Sequence, residues 1–117
     1  VIEIFFNLNF IHRGEIMQQL LIQFPIKQNK KEIWISLLNS KIGLPYTKTM
    51  DGFISAEHGI SKDKDNNLIW HLWEKWHTKE DYQNYISTPP RSKTSKFMEV
   101  VLECSNGEMK EIWIDLY

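Results

Sequence analysis

Between Leu68 and Pro89 one stretch of chain fixes two elements and the joint between them. Leu68-Ile69-Trp70-His71-Leu72-Trp73-Glu74-Lys75-Trp76 is rich in aromatic and aliphatic residues and too short for a typical helix, so it reads as a strand. Thr78 follows almost at once, placed to cap a helix running to about Ser87. Asp81 is a weaker stand-in for the glutamate of a capping box. Pro89-Pro90 breaks that helix. Upstream, Ser61 to Asn67 is a polar hairpin loop, and Phe53 to about Ile60 reads as a strand paired antiparallel with the tryptophan-rich one.

The remaining segments fill in around this joint. Leu20, Ile22, Phe24 and Ile26 alternate as a strand, with Pro25 pushing its end towards an edge or an exit. Asn29 is a plausible cap for a helix carrying Ile33, Trp34, Leu37, Leu38 and Ile42 at helical spacing, closed or kinked by Gly43 and Pro45. Met50-Asp51-Gly52 turns into the strand at Phe53. A further helix runs from about Ser92 to Glu103, with Phe97, Val100, Val101 and Cys104 towards one face. Asn106-Gly107 then turns into a last strand from Met109 to Tyr117. Leaving aside residues 1–16, the order is β-α-β-β-α-α-β. That order suits an α+β, ferredoxin-like antiparallel sheet with its helices on one face.

The two late strands are apolar on both faces. Leu68, Trp70, Leu72 and Trp76 share one parity, and Ile69 and Trp73 the other. In the last strand Met109, Trp113 and Tyr117 lie opposite Ile112, Ile114 and Leu116. A sheet with helices on one side should show a polar second face. This one needs a cover, and the simplest is the same sheet from a second subunit, giving a homodimer.

A chain of 117 residues is one domain. Its formal net charge of -1 gives no global field favouring nucleic acid or an anionic membrane. Lysines gather at 27–31 and 93–96, but glutamates such as Glu32 and Glu99 stand among them, as on an ordinary solvated surface. The single cysteine, Cys104, excludes an internal disulfide and fits a reducing compartment and a small buried side chain. No apolar run approaches the roughly 20 residues that span a bilayer, and the start of the chain is a poor signal peptide. The expected location is the cytoplasm, without nucleic-acid or membrane partners.

Glu74-x-Trp76-x-Thr78, followed by Tyr82, Tyr85 and Thr88-Pro89, resembles the signature of the antibiotic biosynthesis monooxygenase (ABM) superfamily. The similarity runs from about Met17 to Tyr117 and includes Gly52-Phe53. It implies a dimeric α/β barrel formed sheet to sheet, and a monooxygenase needing no cofactor, acting on a small aromatic or polycyclic substrate of quinol or anthrone type. The alternative is a non-catalytic, small-ligand-binding dimer of the same fold. The haem-degrading branch of the superfamily uses a histidine, an asparagine and a tryptophan where this chain has Val101, Ile22 and Tyr85, which argues against haem degradation. Quinol-oxidising members often resemble H-x-x-T-P-H at the helix end; here Tyr85 and Pro90 replace both histidines.

Four histidines and one cysteine are scattered without metal-ligand spacing, so no metal is expected. Neither a phosphate loop nor a nucleophile elbow is present. For cofactor-free oxygenation the protein must supply a dry aromatic pocket, a base and hydrogen-bond donors. His58 and His71 are the candidate bases. A hairpin symmetric about its loop brings them near one another across the strand pair, and a one-residue shift puts Glu57 opposite His71 instead. Each serves equally as a satisfied interior or interface histidine. Trp76, Tyr82 and Tyr85 are the candidate substrate contacts, and all three would also serve as core. Trp34, Trp70, Trp73 and Trp113 read as core or dimer interface.

Residues 1–16 stand apart from the resemblance. Ile2, Ile4, Phe6, Leu8 and Phe10 alternate as an added strand would. Equally, Arg13-Gly14-Glu15 can be written in purine-rich codons like a ribosome-binding site just before Met17, which would make residues 1–16 a start-site artefact.

Overall fold

The computed structural model describes residues 16–117; the strand expected over residues 2–10 lies outside the described residues. Four strands form one antiparallel sheet: β1 (Gln18–Ile26), β2 (Phe53–Lys62), β3 (Leu68–Trp76) and β4 (Lys110–Asp115), in the order β2-β3-β1-β4. The helices are α1 (Lys31–Asn39), α2 (Leu44–Thr47), α3 (Lys79–Ile86) and α4 (Lys96–Cys104). This is the α+β, ferredoxin-like arrangement that the element order predicts.

Alternation decides what each central strand buries. Leu20, Ile22, Phe24 and Ile26 of β1 and Leu68, Trp70, Leu72, Glu74 and Trp76 of β3 all turn to the helices and are buried. In β1 and β3 the register pairs Ile22 with Leu72 and Phe24 with Trp70, so the two buried rows lie side by side. Onto them α1 lays Trp34, whose ring sits 5.2 Å from Phe24 and 5.0 Å from Trp70. α3 lays Tyr82 and Tyr85 at 5.7 and 5.4 Å from Trp76. Trp34 and Trp76 are almost wholly inside. Each such ring system buries about 150–250 Å2, so removing either to alanine costs about 3–5 kcal/mol. The indole N–H of Trp34 has no partner among the described residues.

Two joints hold the site in place. Thr78 caps α3, its hydroxyl accepting from the Asp81 N–H at 3.0 Å. Asp81 then packs on Gly52, which has φ +83° and where a Cβ would come within 2.2 Å of the carboxylate. The Gly52 carbonyl accepts from the His77 N–H at 2.8 Å. A side chain at residue 52 would therefore be strained and would push the start of α3 off the start of β2. At the other end of the hairpin Asp63 ties its loop, accepting from the N–H groups of Asp65 and Asn67.

Boundaries moved where local hydrogen bonds compete. Asn29 does not cap α1. It lies in a 3₁₀ turn over Gln28–Lys30, and the helix begins at Lys31 without a side-chain cap. Ile42 falls beyond that helix, because the Ser40 hydroxyl and N–H both donate to the Leu37 carbonyl and close it. Pro89-Pro90 open a second 3₁₀ turn, so α4 starts at Lys96, where Ser95 accepts from the Met98 N–H, rather than at Ser92. Cys104 is fully buried, as its position at the end of an apolar stretch suggests.

The other face of the sheet carries Leu21, Ile69, Trp73, Ile112 and Ile114, and no element among the described residues covers it: Trp73 is 47% and Ile112 55% exposed. Among the described residues no helix is long and apolar enough to cross a membrane.

Candidate functional site

Between the helices and the inner face of the sheet lies a cavity of about 220 Å3. Ile22, Trp70, Leu72, Phe97 and Val101 give it apolar walls; Glu74, Tyr82, Tyr85, Thr47 and Arg91 bring polar groups to it. An apolar cavity with a few convergent polar groups is the usual form of a small-molecule site. A dry cavity of about 150 Å3 is known to take benzene, so this one suits one or two rings.

Glu74 stands out because alternation alone puts it inside. It occupies the buried parity of β3 between Leu72 and Trp76 and is 3% exposed. Its Oε1 accepts the Trp76 indole N–H at 2.8 Å, while no described residue bonds Oε2 and no ion pair forms on it. Burial disfavours the charged carboxylate and pushes its pKa up to about 7, with the Trp76 bond and the Arg91 charge pulling the other way. Near neutrality the group is therefore poised to take or give a proton.

Arg91, 8% exposed, is held entirely by neutral partners. Its Nε donates to the Tyr85 hydroxyl at 2.6 Å, Nη1 to the Ile42 carbonyl at 2.7 Å, and Nη2 to the Gly43 carbonyl at 3.1 Å and Thr47 Oγ1 at 3.3 Å. The guanidinium lies 3.7 Å over the Phe97 ring and about 5 Å from those of Tyr46 and Tyr85. Thr47 Oγ1 is 2.8 Å from the Tyr85 hydroxyl and 3.4 Å from the Gly43 carbonyl, and its one proton can serve either oxygen. When Thr47 donates to it as Arg91 does, the Tyr85 oxygen is filled as an acceptor and its own proton is free to be donated. Burial also raises the Tyr85 pKa, against the pull of Arg91 and its hydrogen bonds, so the hydroxyl stays protonated. No described residue bonds the Tyr82 hydroxyl. Its pKa is raised further, chiefly by burial and then by the charges of Glu111 and Glu74.

Of the sequence candidates, Tyr82 and Tyr85 line the cavity, and Trp76 lies beneath it, stacked on Tyr85 and bonded to Glu74. The histidine pairing is corrected. In the register His58 faces Leu72, Gly59 faces His71 and Glu57 faces Trp73, so His58 and His71 project to opposite faces of the sheet. His58 is exposed on edge strand β2, where its Nδ1 accepts the Trp70 indole N–H at 3.1 Å. Partial desolvation of the ring, which is covered on its Trp70 side, and then the Lys48 charge lower its pKa. His71 lies on the uncovered face, stacked on Trp73 and 2.8 Å from the Ser61 hydroxyl. Neither lines the cavity. Glu74 enters the sequence reading only as part of the Glu74-x-Trp76-x-Thr78 signature, without a chemical role, and Arg91 and Thr47 do not enter it. A carboxylate at the inward parity of an aromatic strand was the available signal for Glu74; Arg91 and Thr47 had none. Among the described residues no group of three or more histidine, cysteine, aspartate and glutamate side chains could hold a metal.

No family model and no curated protein sequence matches the chain. Solved structures do match it in shape. A conserved protein from Methanosarcina mazei Go1 superposes with TM-score 0.67 at 14% identity, over 89% of this chain and 96% of that one. A structure named antibiotic biosynthesis monooxygenase gives 0.67 at 10% identity, over 86% and 98%. A dimeric protein of ferredoxin-like fold from Bacteroides fragilis gives 0.65 at 10%, over 86% and 96%. At such identities the likeness speaks for the fold: the chain has the ferredoxin-like fold of antibiotic biosynthesis monooxygenases.

Proposed function

We propose that the chain is an oxygenase of the antibiotic biosynthesis monooxygenase type, acting without a cofactor on an electron-rich phenol or hydroquinone of one or two rings. The observation that carries this reading is the buried Glu74 with its Oε2 unbonded, sharing an apolar cavity with the Tyr85–Arg91 pair. Glu74 is the base in this reading, in preference to His58 or His71, which lie outside the cavity. It takes a proton from the substrate; the anion, stabilised by the Tyr85 hydroxyl, passes an electron to dioxygen; the two radicals join at a ring carbon as a peroxide. Breaking the O–O bond leaves one oxygen on the ring and releases the other as water, so hydroquinone and dioxygen give hydroxyquinone and water. The cavity volume favours small rings over the polycyclic substrates that the resemblance allows.

The working unit in this reading is a homodimer, with the Trp73 face of one sheet against that of its partner; the dimeric ferredoxin-like neighbour supports it. The test is oxygen uptake against a panel of hydroquinones and phenols, without added metal or flavin. Uptake that falls at least about a hundredfold in Glu74→Gln, as expected for loss of a general base, supports the proposal; no uptake across the panel by a folded protein overturns it.

The competing reading, a non-catalytic small-ligand-binding dimer, draws on one observation. Arg91 spends its hydrogen bonds on carbonyls and hydroxyls of its own chain, as a structural arginine does. Binding of the same phenols without uptake would favour it.

A further inference from the structure

The cavity has an unusual electrical composition. Arg91 brings a permanent positive charge to its wall, and among the described residues no carboxylate touches that charge: its bonds go to the Ile42, Gly43 and Pro90 carbonyls and to two hydroxyls. The groups around Glu74 are Tyr82 and Tyr85 from α3, Arg91 from the turn after it, and Glu111 of β4 beyond Tyr82. Two of these carry charge, one of each sign, and the negative one lies on an exposed edge residue. A buried cation without a counter-ion in contact is costly, and a low-dielectric cavity magnifies the gain from supplying one.

We infer that the ligand itself supplies this counter-ion: a phenol binds as its phenolate, with the oxyanion on the Tyr85 hydroxyl beside Arg91, and its proton passes to Oε2 of Glu74. The phenol O–H bond breaks, the electron pair stays on the phenol oxygen and an O–H bond forms on Glu74, so no redox partner is needed. The negative charge moves from the carboxylate to the ligand, and the loaded site holds one cation, one anion and a neutral acid. Glu74 and the ligand cannot both be ionised cheaply, since two carboxylate-like charges in one dry cavity repel. This deepens the proposed function and rests on the same cavity being the ligand site. It adds that the ligand must carry an ionisable ring oxygen as well as fit the cavity.

The probe is 4-nitrophenol, whose phenolate alone absorbs in the visible, compared with 4-nitroanisole, which has the same ring and no ionisable oxygen. Bound to the wild-type chain at about neutral pH, the probe is expected to show the phenolate band and to bind at least about tenfold more tightly than the ether. Above neutrality the free probe is already an anion and Glu74 is ionised, so the complex must take up one proton. Wild-type affinity then falls about tenfold for each further pH unit, while Glu74→Gln stays level. Tyr85→Phe removes the donor and leaves Arg91 Nε without its hydroxyl acceptor; it is expected to weaken the phenolate several-fold and the ether less.

A neutral band for the bound probe, equal affinity for the ether, or parallel pH profiles in wild type and Glu74→Gln would each overturn the inference while leaving the cavity as an aromatic site. If neither probe binds, the site reading falls with it. Phenolate binding with no oxygen uptake from hydroquinones would uphold the inference and overturn the oxygenase.

Discussion

The two faces of this sheet are both built from large apolar residues, yet they make opposite use of polar ones. The helix-covered face buries its apolar rows and places Glu74, Tyr85 and Arg91 among them. The bare face shows Trp73, Ile112 and Ile114 to solvent and keeps its polar residues, Gln19, Gln23 and Lys75, among them on the same rows. A buried carboxylate and a buried guanidinium lower stability unless something compensates, whereas an exposed tryptophan costs solubility until something covers it. The first arrangement points to a ligand, the second to another protein surface.

The covered face depends most heavily on Arg91. Arg91→Leu leaves the Ile42 and Gly43 carbonyls and the Tyr85–Thr47 pair without their donor, and destabilisation of about 3–5 kcal/mol is expected in urea unfolding. Lysine should not rescue it, because an ammonium cannot reach carbonyl, hydroxyl and ring face together. A loss within about 0.5 kcal/mol, the size of an ordinary surface change, would mean that the covered face does not depend on this cation.

Glu74 gives the next largest effect, with the opposite sign. Its folded pKa of about 7 lies above the ordinary 4.5. Between those values the folded chain holds a proton that the unfolded chain has released, so stability falls as pH rises through the window and is level above it. The gap corresponds to about 3 kcal/mol. Glu74→Gln removes the slope. Relative to wild type the variant should therefore gain about 3 kcal/mol between about pH 4 and about pH 8 in urea midpoints. Parallel curves would show that Glu74 is ionised at no unusual cost.

Trp73 tests the other face. Trp73→Asp is expected to raise the dimer dissociation constant by at least about 30-fold, the roughly 2 kcal/mol of an aromatic hot spot, when followed by analytical ultracentrifugation. Because Trp73 is about half exposed, the monomer's own stability should move little. If the wild-type chain sediments as a monomer at every concentration, the bare face has another cover.

How far these features could be read beforehand follows the same division. Strand β3 and the cap on α3 were legible to the residue, since period-2 alternation and a Thr–Asp pair are local signals. The apolar second face was legible too, because it is written in the opposite parity. The start of α1 was not: Asn29 has the right chemistry for a cap, but the chain between Lys27 and Lys31 takes a 3₁₀ turn set by its neighbours. In the site, Tyr82 and Tyr85 could be placed from helical spacing, and Glu74 sat in plain view at an inward position. His58 and His71 were misplaced together because pairing His58 with Leu72 rather than His71 sends them to opposite faces, and a sequence does not state its register to one residue. Arg91 was invisible because its partners, Ile42 and Gly43, lie almost fifty residues away and are backbone carbonyls.

The smallest expected effect comes from a change that touches neither face. Thr78→Ala removes the hydroxyl that accepts from the Asp81 N–H and should cost about 1 kcal/mol of unfolding free energy. Although α3 carries Tyr82 and Tyr85, a loosened first turn should leave the cavity intact, because the far turn, with Tyr85, is held by Arg91 and Thr47. Thr78→Ala should therefore keep the wild-type pH slope between about pH 4 and about pH 8 and the wild-type dimer constant, while shifting every unfolding midpoint by the same amount. A flattened slope would show that Glu74 feels the start of α3 through Tyr82, and the covered face would then be one coupled unit rather than a cap and a site side by side.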